Sequence, residues 1–211
     1  MIRVGLDRAG YPFILASIVL AAAAGALAGW WLAVPFVILA GFFLFFFRDP
    51  ERAVNAASGT VVSPADGRVL VAGPAVAGAA PAGEWLQISI FLSPMDVHVN
   101  RVPVSGRVTR VSYTPGRYLP AYRHDAAAAN ERSEIWIDHA GQAIVARQIV
   151  GMLARRVVCR LQTGADVHAG DRYGVMKFGS RMDVFLPTTA RITVEVGAVV
   201  RGGETVIAVL H

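Results

Sequence analysis

The chain has 211 residues, 55% of them hydrophobic, and a formal net charge of +5 carried almost wholly by arginine, Lys177 being the only lysine. A single cysteine, Cys159, excludes an internal disulfide and a cysteine-based metal cluster, and no two histidines stand at ligand spacing on a common element. The basic balance would suit nucleic acid or an anionic membrane face; the arginines are dispersed and lack interleaved aromatics, so the membrane is the expected partner.

The run Phe13 to Phe47 contains no ionisable side chain. Crossing a hydrocarbon core takes about 20 apolar residues, so the run is too long for one span and a little short for two. Gly29-Trp30-Trp31 near its middle supplies a flexible point and two interfacial aromatics, which predicts a tight membrane hairpin of two short helices within residues 1–50. Arg3 and Arg8 precede the run, Arg48 and Arg52 follow it, and none lies in the turn, so both flanks are expected on the cytoplasmic side of the cell membrane. The small residues Ala21 to Ala24, Gly25, Ala26 and Ala28 would let the helices approach closely. A cleaved signal peptide fits worse, because its apolar region is far shorter than this one.

Residues 51–211 are the size of one domain. Short candidate strands recur there between turn residues: Gly67 to Ala72, Trp85 to Leu92, Arg107 to Tyr113, Glu134 to Asp138, Ala143 to Val150, Val157 to Leu161, Met182 to Leu186, Ile192 to Val196 and Thr205 to Leu210. Ala79 to Gly83 and Arg123 to Ala129 are expected as loops, the second partly helical because of its alanines. Cys159, in Arg156-Val-Val-Cys159-Arg-Leu161, is expected as a small core residue. No long stretch holds a helical period, so the domain should be mainly β. Exposed strand edges in such a domain predict self-association into a dimer or larger homo-oligomer.

One internal repeat stands out. Gly164-Ala-Asp-Val167-His-Ala-Gly170-Asp171 matches Gly197-Ala-Val-Val200-Arg-Gly-Gly203-Glu204 in both glycines, the valine and the acid. Two similar turns predict a pseudo-symmetric β-structure. The pattern resembles the flattened, sandwich-like barrel of lipoyl and biotinyl carrier domains, a likeness that concerns fold and says little about chemistry.

The segment Lys177-Phe178-Gly179-Ser180-Arg181-Met182-Asp183 joins one predicted strand to the next, and a Gly-Ser pair taken alone is an ordinary turn. It keeps particular company: Phe47-Arg-Asp-Pro50, Ser63-Pro-Ala-Asp66-Gly67, Ser93-Pro-Met-Asp96-Val-His98-Val-Asn100-Arg101-Val-Pro103, Asn130-Glu131-Arg132 and Gln148-Ile-Val-Gly151. In this order and spacing, ending in Phe178-Gly-Ser-Arg181, these motifs resemble the phosphatidylserine decarboxylase family, most closely its short bacterial and archaeal branch. The likeness runs from about Phe43 to the C-terminus.

The resemblance implies a proenzyme that cuts itself between Gly179 and Ser180, leaving chains 1–179 and 180–211 that stay associated. Ser180 would attack the Gly179 carbonyl, and its residue would end as a pyruvoyl group, the enzyme's covalent cofactor. That carbonyl would form a Schiff base with the amine of phosphatidylserine and act as an electron sink while carbon dioxide leaves, giving phosphatidylethanolamine. The residue types suit this chemistry. A hydroxyl nucleophile needs a nearby base, and glycine on the acyl side removes a side chain from its approach. For the base and the proton donor the resemblance points to Asp66 and His98.

The better-known long branch carries a second histidine three places after the first, where this chain has Arg101. An arginine cannot usefully take a proton at neutral pH; if the second histidine is the self-cleavage base in the long branch, then His98 or Asp66 must serve here, or Asp96 must help. Arg101 could instead bind the lipid phosphate, and Asn130 and Arg132 in Asn130-Glu131-Arg132 are a second candidate for headgroup contact, which a polar loop accounts for equally well. The remaining histidines, His124, His139, His168 and His211, read as surface residues. The competing reading is a membrane-anchored carrier or adaptor domain of lipoyl or biotinyl type, with Lys177 in Met176-Lys-Phe178 as the modified lysine; carrier lysines sit at a hairpin tip flanked by methionines, which Phe178-Gly179 fits poorly. A non-enzymatic anchored domain would leave the chain intact.

Overall fold

The computed structural model describes residues 4–54, 57–123, 125–152, 157–177 and 179–211, so that Arg3, His124, Arg156 and Phe178 lie outside the described residues. The chain divides into two compact units, Met1–Glu51 and Arg52–His211.

The first unit is a helical hairpin. After β1 (Val4–Leu6) and a 3-10 turn at Arg8–Gly10 come α1 (Tyr11–Ala28), α2 (Trp30–Phe46) and β2 (Arg48–Pro50). Arg8–Ala28 is long and apolar enough to cross a membrane, whereas Trp30–Phe46 is apolar but shorter. Gly29 joins the helices at φ +103°, a conformation open to glycine alone at little cost. Missing side chains let the helices approach: a Cβ on Gly25 would lie 3.5 Å from that of Ala33. At the other end Phe13 and Phe43 meet with ring centroids 5.3 Å apart. The sequence did not announce that β1 and β2 pair antiparallel, with Gly5 opposite Asp49. Their three-residue strands are too short to show a period.

The second unit is mainly β. Its elements are β3 (Thr60–Val62), β4 (Gly67–Pro74), β5 (Leu86–Leu92), β6 (Val99–Arg101), β7 (Gly106–Thr114), α3 (Ala126–Ala129), β8 (Arg132–His139), β9 (Gln142–Val150), β10 (Val157–Cys159), β11 (Asp166–Val167), β12 (Arg172–Met176), β13 (Ser180–Leu186), β14 (Arg191–Ile192), β15 (Val199–Val200) and β16 (Val206–Val209). One sheet has the order β11-β7-β8-β9-β13-β5-β4-β15, and two smaller ones run β10-β12-β6 and β14-β16-β3. Ile88, Ile90 and Leu92 of β5, Met182 and Val184 of β13, and Tyr173 and Met176 of β12 belong to one buried core.

These orders are images of one another about an approximate two-fold between β9 and β13. The repeat in the sequence is its signature. The Gly164 N–H donates to the Val108 carbonyl at 2.7 Å, as the Gly197 N–H donates to that of Val69 at 2.8 Å. The Gly170 and Gly203 N–H groups donate to Val102 and Ser63 carbonyls, both at 2.8 Å. Register agrees: Arg68 faces Phe91 as Arg107 faces Asp138, with a bulge between Val69 and Val71 in one half and between Val108 and Arg110 in the other. Gly67 and Gly106 open the matching strands because a Cβ at either would run into a neighbouring carbonyl oxygen, at 2.1 and 2.2 Å.

Eight of the nine expected strands keep most of their length. Of Ile192 to Val196 only Ile192 enters a ladder, and Val196 is exposed. Among the strands that the sequence hid, β6 and β12 are short segments in which Asn100, Arg101 and Arg172 interrupt the apolar residues, and β3, β11 and β15 are only two or three residues long, too short to show a period. Residues 126–129 are the partly helical loop expected there.

Candidate functional site

Ser180 opens β13, the strand beside the pseudo-two-fold, and every residue of that strand is buried. It is flanked on both sides, by Leu92 of β5 and by Val150 of β9. Side chains opposite one another point to the same face, so the Ser180 hydroxyl enters the apolar face with Leu92 and Val150. The residue is 0% exposed, and its Oγ makes no hydrogen bond among the described residues. Leaving a buried hydroxyl unsatisfied costs about 1–3 kcal/mol, which marks the position as one where something other than stability is served.

The residue before it is held out of the ladder. Gly179 has φ +72°, and a Cβ there would meet nothing within 4 Å, so its requirement for glycine is conformational. Only residues 177–179 connect β12 in the small sheet to β13 in the large one. Opposite Gly179 lies Gly151, whose requirement is spatial: a Cβ there would sit 2.0 Å from the Gly179 carbonyl oxygen and 3.0 Å from its carbon. The Val150 carbonyl accepts from Asn130 Nδ2 at 2.8 Å, and its N–H donates to the Glu131 carbonyl at 3.1 Å. Asn130 is fully buried and also brackets Leu119, accepting from its N–H at 2.9 Å and donating to its carbonyl at 2.7 Å. Its side chain is thus committed to backbone, and it fixes the strand that flanks Ser180.

His98 precedes β6 and is fully buried, its carbonyl accepting from the Met176 N–H at the end of the strand that leads to the connector. Its Nδ1 lies 2.9 Å from the Asp96 carbonyl. A carbonyl can only accept, so Nδ1 carries the proton and Nε2 is the basic nitrogen. Asp96 itself closes a turn by accepting from the Ser93 N–H at 2.8 Å.

Asp66 and Arg101 belong to a second cluster. Asp66 accepts from Arg52 Nη2 and from the Gly202 N–H, both at 2.8 Å, and Arg52 continues to Glu204 at 3.1 Å. In the other half Ser105 does the matching work, accepting from the Ala169 N–H at 2.9 Å. By register Asp66 lies at the end of the sheet where Gly179 sits, with β5 between them. Arg101 is 5% exposed, donates from Nη1 to the Gly170 carbonyl at 3.0 Å, and packs against Gly203. Arg132 donates from Nη1 to the Ala128 carbonyl at 2.9 Å and keeps a fifth of its side chain exposed. Lys177 lies half-buried in the connector, away from any hairpin tip.

Sequence reasoning missed the other face of β13. There Arg181 pairs with Asp183 at 2.6 Å and donates to Ser89 Oγ at 2.8 Å, while Gln87 Nε2 reaches Asp183 at 3.2 Å. Arg147 pairs with Glu134 at 2.7 Å, donates to the Ala79 carbonyl, and lies over the Phe185 ring. Burial lowers the pKa of the Arg147 guanidinium, with Glu134 and Asp183 opposing that shift. The signal was present as two charges at alternate positions, Arg181 and Asp183, in a strand otherwise apolar. This network ties β13 to β5 independently of the chain's continuity at Gly179.

A cavity of about 150 Å³ opens at Gly179, lined by Phe91, Pro94, Pro120, Tyr122 and Met152 among others. Its lining is almost wholly apolar, and Tyr122 and Met152 at its rim are exposed.

The comparisons with known proteins decide the family. Residues 39–208 match the model of the phosphatidylserine decarboxylase family. The chain belongs to that family. It is 40% identical over 207 residues to a phosphatidylserine decarboxylase proenzyme of Nitrosomonas europaea, covering 98% of this chain and 95% of the relative. A relative of the same name from Chlorobium phaeobacteroides is 46% identical over 169 residues, 80% of this chain and 79% of its own. Another, from Cupriavidus taiwanensis, is 40% identical over 207 residues, with 97% and 95% covered. Membership makes the chain a decarboxylase, a carboxy-lyase of phospholipid metabolism, and the relatives' description as proenzymes directs attention to the buried hydroxyl beside Gly179.

Proposed function

We propose that this chain is a self-processing phosphatidylserine decarboxylase in which Ser180 is both the nucleophile of cleavage and the source of the catalytic carbonyl. The observation that carries the reading is the Ser180 Oγ: buried, without a hydrogen bond among the described residues, and adjacent to a glycine carbonyl whose φ of +72° lifts it from the ladder. The residues fit a pyruvoyl group, since the hydroxyl that would be consumed contributes no hydrogen bond to the described fold.

Processing balances as follows. The Oγ bonds to the Gly179 carbonyl carbon, the C–N bond breaks, and the Ser180 nitrogen takes up the hydroxyl proton, giving an ester. Loss of the Ser180 Cα proton then expels the Gly179 carboxylate from Cβ. Water adds to the resulting dehydroalanine and ammonia leaves, so residue 180 becomes a pyruvoyl group heading chain 180–211. When present, that group supplies an electron-withdrawing carbonyl next to the substrate's amine. His98, with Nε2 as its basic nitrogen, and Asp66 are the residues we assign to proton transfer in self-cleavage and turnover. Asn130 positions Val150 behind the nucleophile, and Arg132 and Arg101 supply positive charge for a phosphate. The cut chain stays assembled because β13 remains between β5 and β9, held by Arg181 and Asp183.

The apolar cavity at Gly179 supports a lipid substrate, whose headgroup amine must reach residue 180 while its chains stay in apolar surroundings. The hairpin of α1 and α2 would hold the enzyme at the bilayer that contains this lipid, and the arginines flanking it favour the cytoplasmic face of the cell membrane. The carrier reading loses ground with Lys177 half-buried between two strands.

Intact mass of the detergent-solubilised protein tests the proposal. Fragments 1–179 and 180–211, the second with a pyruvoyl-blocked N-terminus, are expected. A single unmodified chain without decarboxylase activity would refute it.

A further inference from the structure

The Gly179 carbonyl, the group attacked in the processing proposed above, does not lie over open space. Its oxygen occupies the place that a side chain at position 151 would fill, because a Cβ built on Gly151 comes to 2.0 Å of that oxygen and 3.0 Å of the carbonyl carbon. The same Cβ would lie 3.4 Å from the Ala121 Cβ, so the loop beyond leaves little room for Gly151 to retreat. Nor can β9 slide, since Val150 is held by Asn130 and by the Glu131 carbonyl. Gly151 has no positive φ, so backbone conformation does not explain the glycine.

We infer that Gly151 is a positioning residue for self-cleavage: its missing side chain is the space into which the Gly179 carbonyl oxygen points and through which it swings during attack. When the Ser180 Oγ bonds to the Gly179 carbon, that carbon goes from planar to tetrahedral and its oxygen leaves the peptide plane. As the C–N bond breaks, the nitrogen takes the hydroxyl proton and the oxygen returns to a carbonyl, now of the ester. Alanine at 151 would push the carbonyl away before attack and crowd the oxygen during it. The effect falls on acyl transfer alone and leaves later elimination untouched. This inference rests on the self-processing reading.

The test follows cleavage of the full-length chain over time after synthesis into detergent or lipid, comparing the parent, Gly151→Ala and Gly174→Ala. Gly174 is a control of similar crowding away from the scissile bond, where a Cβ would lie 2.3 Å from the Val158 oxygen and 2.7 Å from Gln148 Nε2. Melting temperatures are measured with each glycine variant placed in the Ser180→Ala chain, so that all samples are uncut. Gly151→Ala should cleave at least tenfold more slowly than Gly174→Ala, with a melting temperature no lower. Hydroxylamine, which cuts an ester once formed, should not release fragments from the stalled Gly151→Ala chain. Cleavage at the parental rate, slowing matched by Gly174→Ala at equal loss of stability, or hydroxylamine-induced fragments would each overturn the inference. A parental chain that never cuts at Gly179 removes the reaction itself and is recognised before any variant is compared.

Discussion

The turn that is proposed to break has a twin that does not. Ser180 faces Leu92 in one half of the β unit as Gln142 faces His139 in the other, and the preceding glycines share a positive φ, +72° at Gly179 and +83° at Gly141. The surroundings differ. Ala140 and Gly141, both at positive φ, form a tight hairpin at which β8 turns straight back into β9, with Gly141 exposed. At Gly179 the chain arrives from another sheet, and Ser180 is covered by a second neighbour because β9 runs on to Val150. No such neighbour covers Gln142, since β13 ends at Leu186 and its ladder with β9 reaches only Phe185 opposite Val145. What sets this Gly-Ser pair apart from its twin, and what the proposed processing would use, is burial between two strands at the end of a short connector.

The sharpest way to break the comparison is to exchange the residues. Ser180→Ala should abolish both cleavage and decarboxylation, seen as one intact mass and no carbon dioxide release. Gln142→Ser, which places a Gly-Ser pair in the twin, should give no cut at 141–142; a fragment ending at Gly141 would mean that the dipeptide alone suffices. Next in size is Asn130→Ala. It leaves a buried carbonyl on Val150 and both polar groups of Leu119 without their partner, at about 1–3 kcal/mol for each group left unsatisfied. Its melting temperature should fall by several degrees and cleavage should slow, whereas a variant that melts like the parent would show that Val150 needs no such anchor.

Half of this arrangement was legible in the sequence. The repeat at Gly164 and Gly197 showed because its glycines meet local demands, a turn and an N–H aimed at the next strand, which two copies of the same motif must both satisfy. The helical hairpin showed because Phe13 to Phe47 lacks any charge. What stayed hidden depends on contacts between distant residues. Gly151 looks like any strand-end glycine until the Gly179 carbonyl is placed against it, and nothing near Asp66 announces Arg52 or Gly202. Strands β6 and β12 pair only with each other and with the short β10; the buried Asn100 and Arg101 of β6 erase the alternation that would have revealed it, and β12 is buried at four successive positions and so has no alternation to show.

The two glycines of the twin turns allow a finer test. An alanine would clash at neither, so each substitution should cost about 1–2 kcal/mol for forcing an L-residue into the left-handed region. Gly141→Ala should therefore lower the melting temperature and leave cleavage untouched. Gly179→Ala should lower it by a similar amount and slow cleavage as well, because the proposed attack is on the carbonyl of that residue alone. Equal cleavage rates in the two variants would mean that the φ of Gly179 serves folding alone.

The smallest effect concerns pH and again sets one half against the other. Tyr173 and Ile207 occupy matching positions, each carbonyl accepting from the strand beside it, Arg160 N–H at 2.8 Å and Thr193 N–H at 3.0 Å. Tyr173 thus brings a hydroxyl where its twin has none, 1% exposed and, among the described residues, with only a long contact to Met182 Sδ at 3.9 Å. Burial pushes the phenol's pKa well above its ordinary value, and the nearby Cys159 thiol adds to the shift. A folded-state pKa above the unfolded one means that the contribution is fully present below about pH 10, where a free phenol begins to ionise, and is lost as pH rises further. Burial raises the Cys159 thiol in the same direction, so its share of the loss begins lower, near pH 8.5. Tyr173→Phe should melt within a few degrees of the parent at pH 7 and above it at pH 10.5, so the two curves of melting temperature against pH should cross. Curves that fall in parallel would place the alkaline loss elsewhere, with Cys159 the next residue to replace.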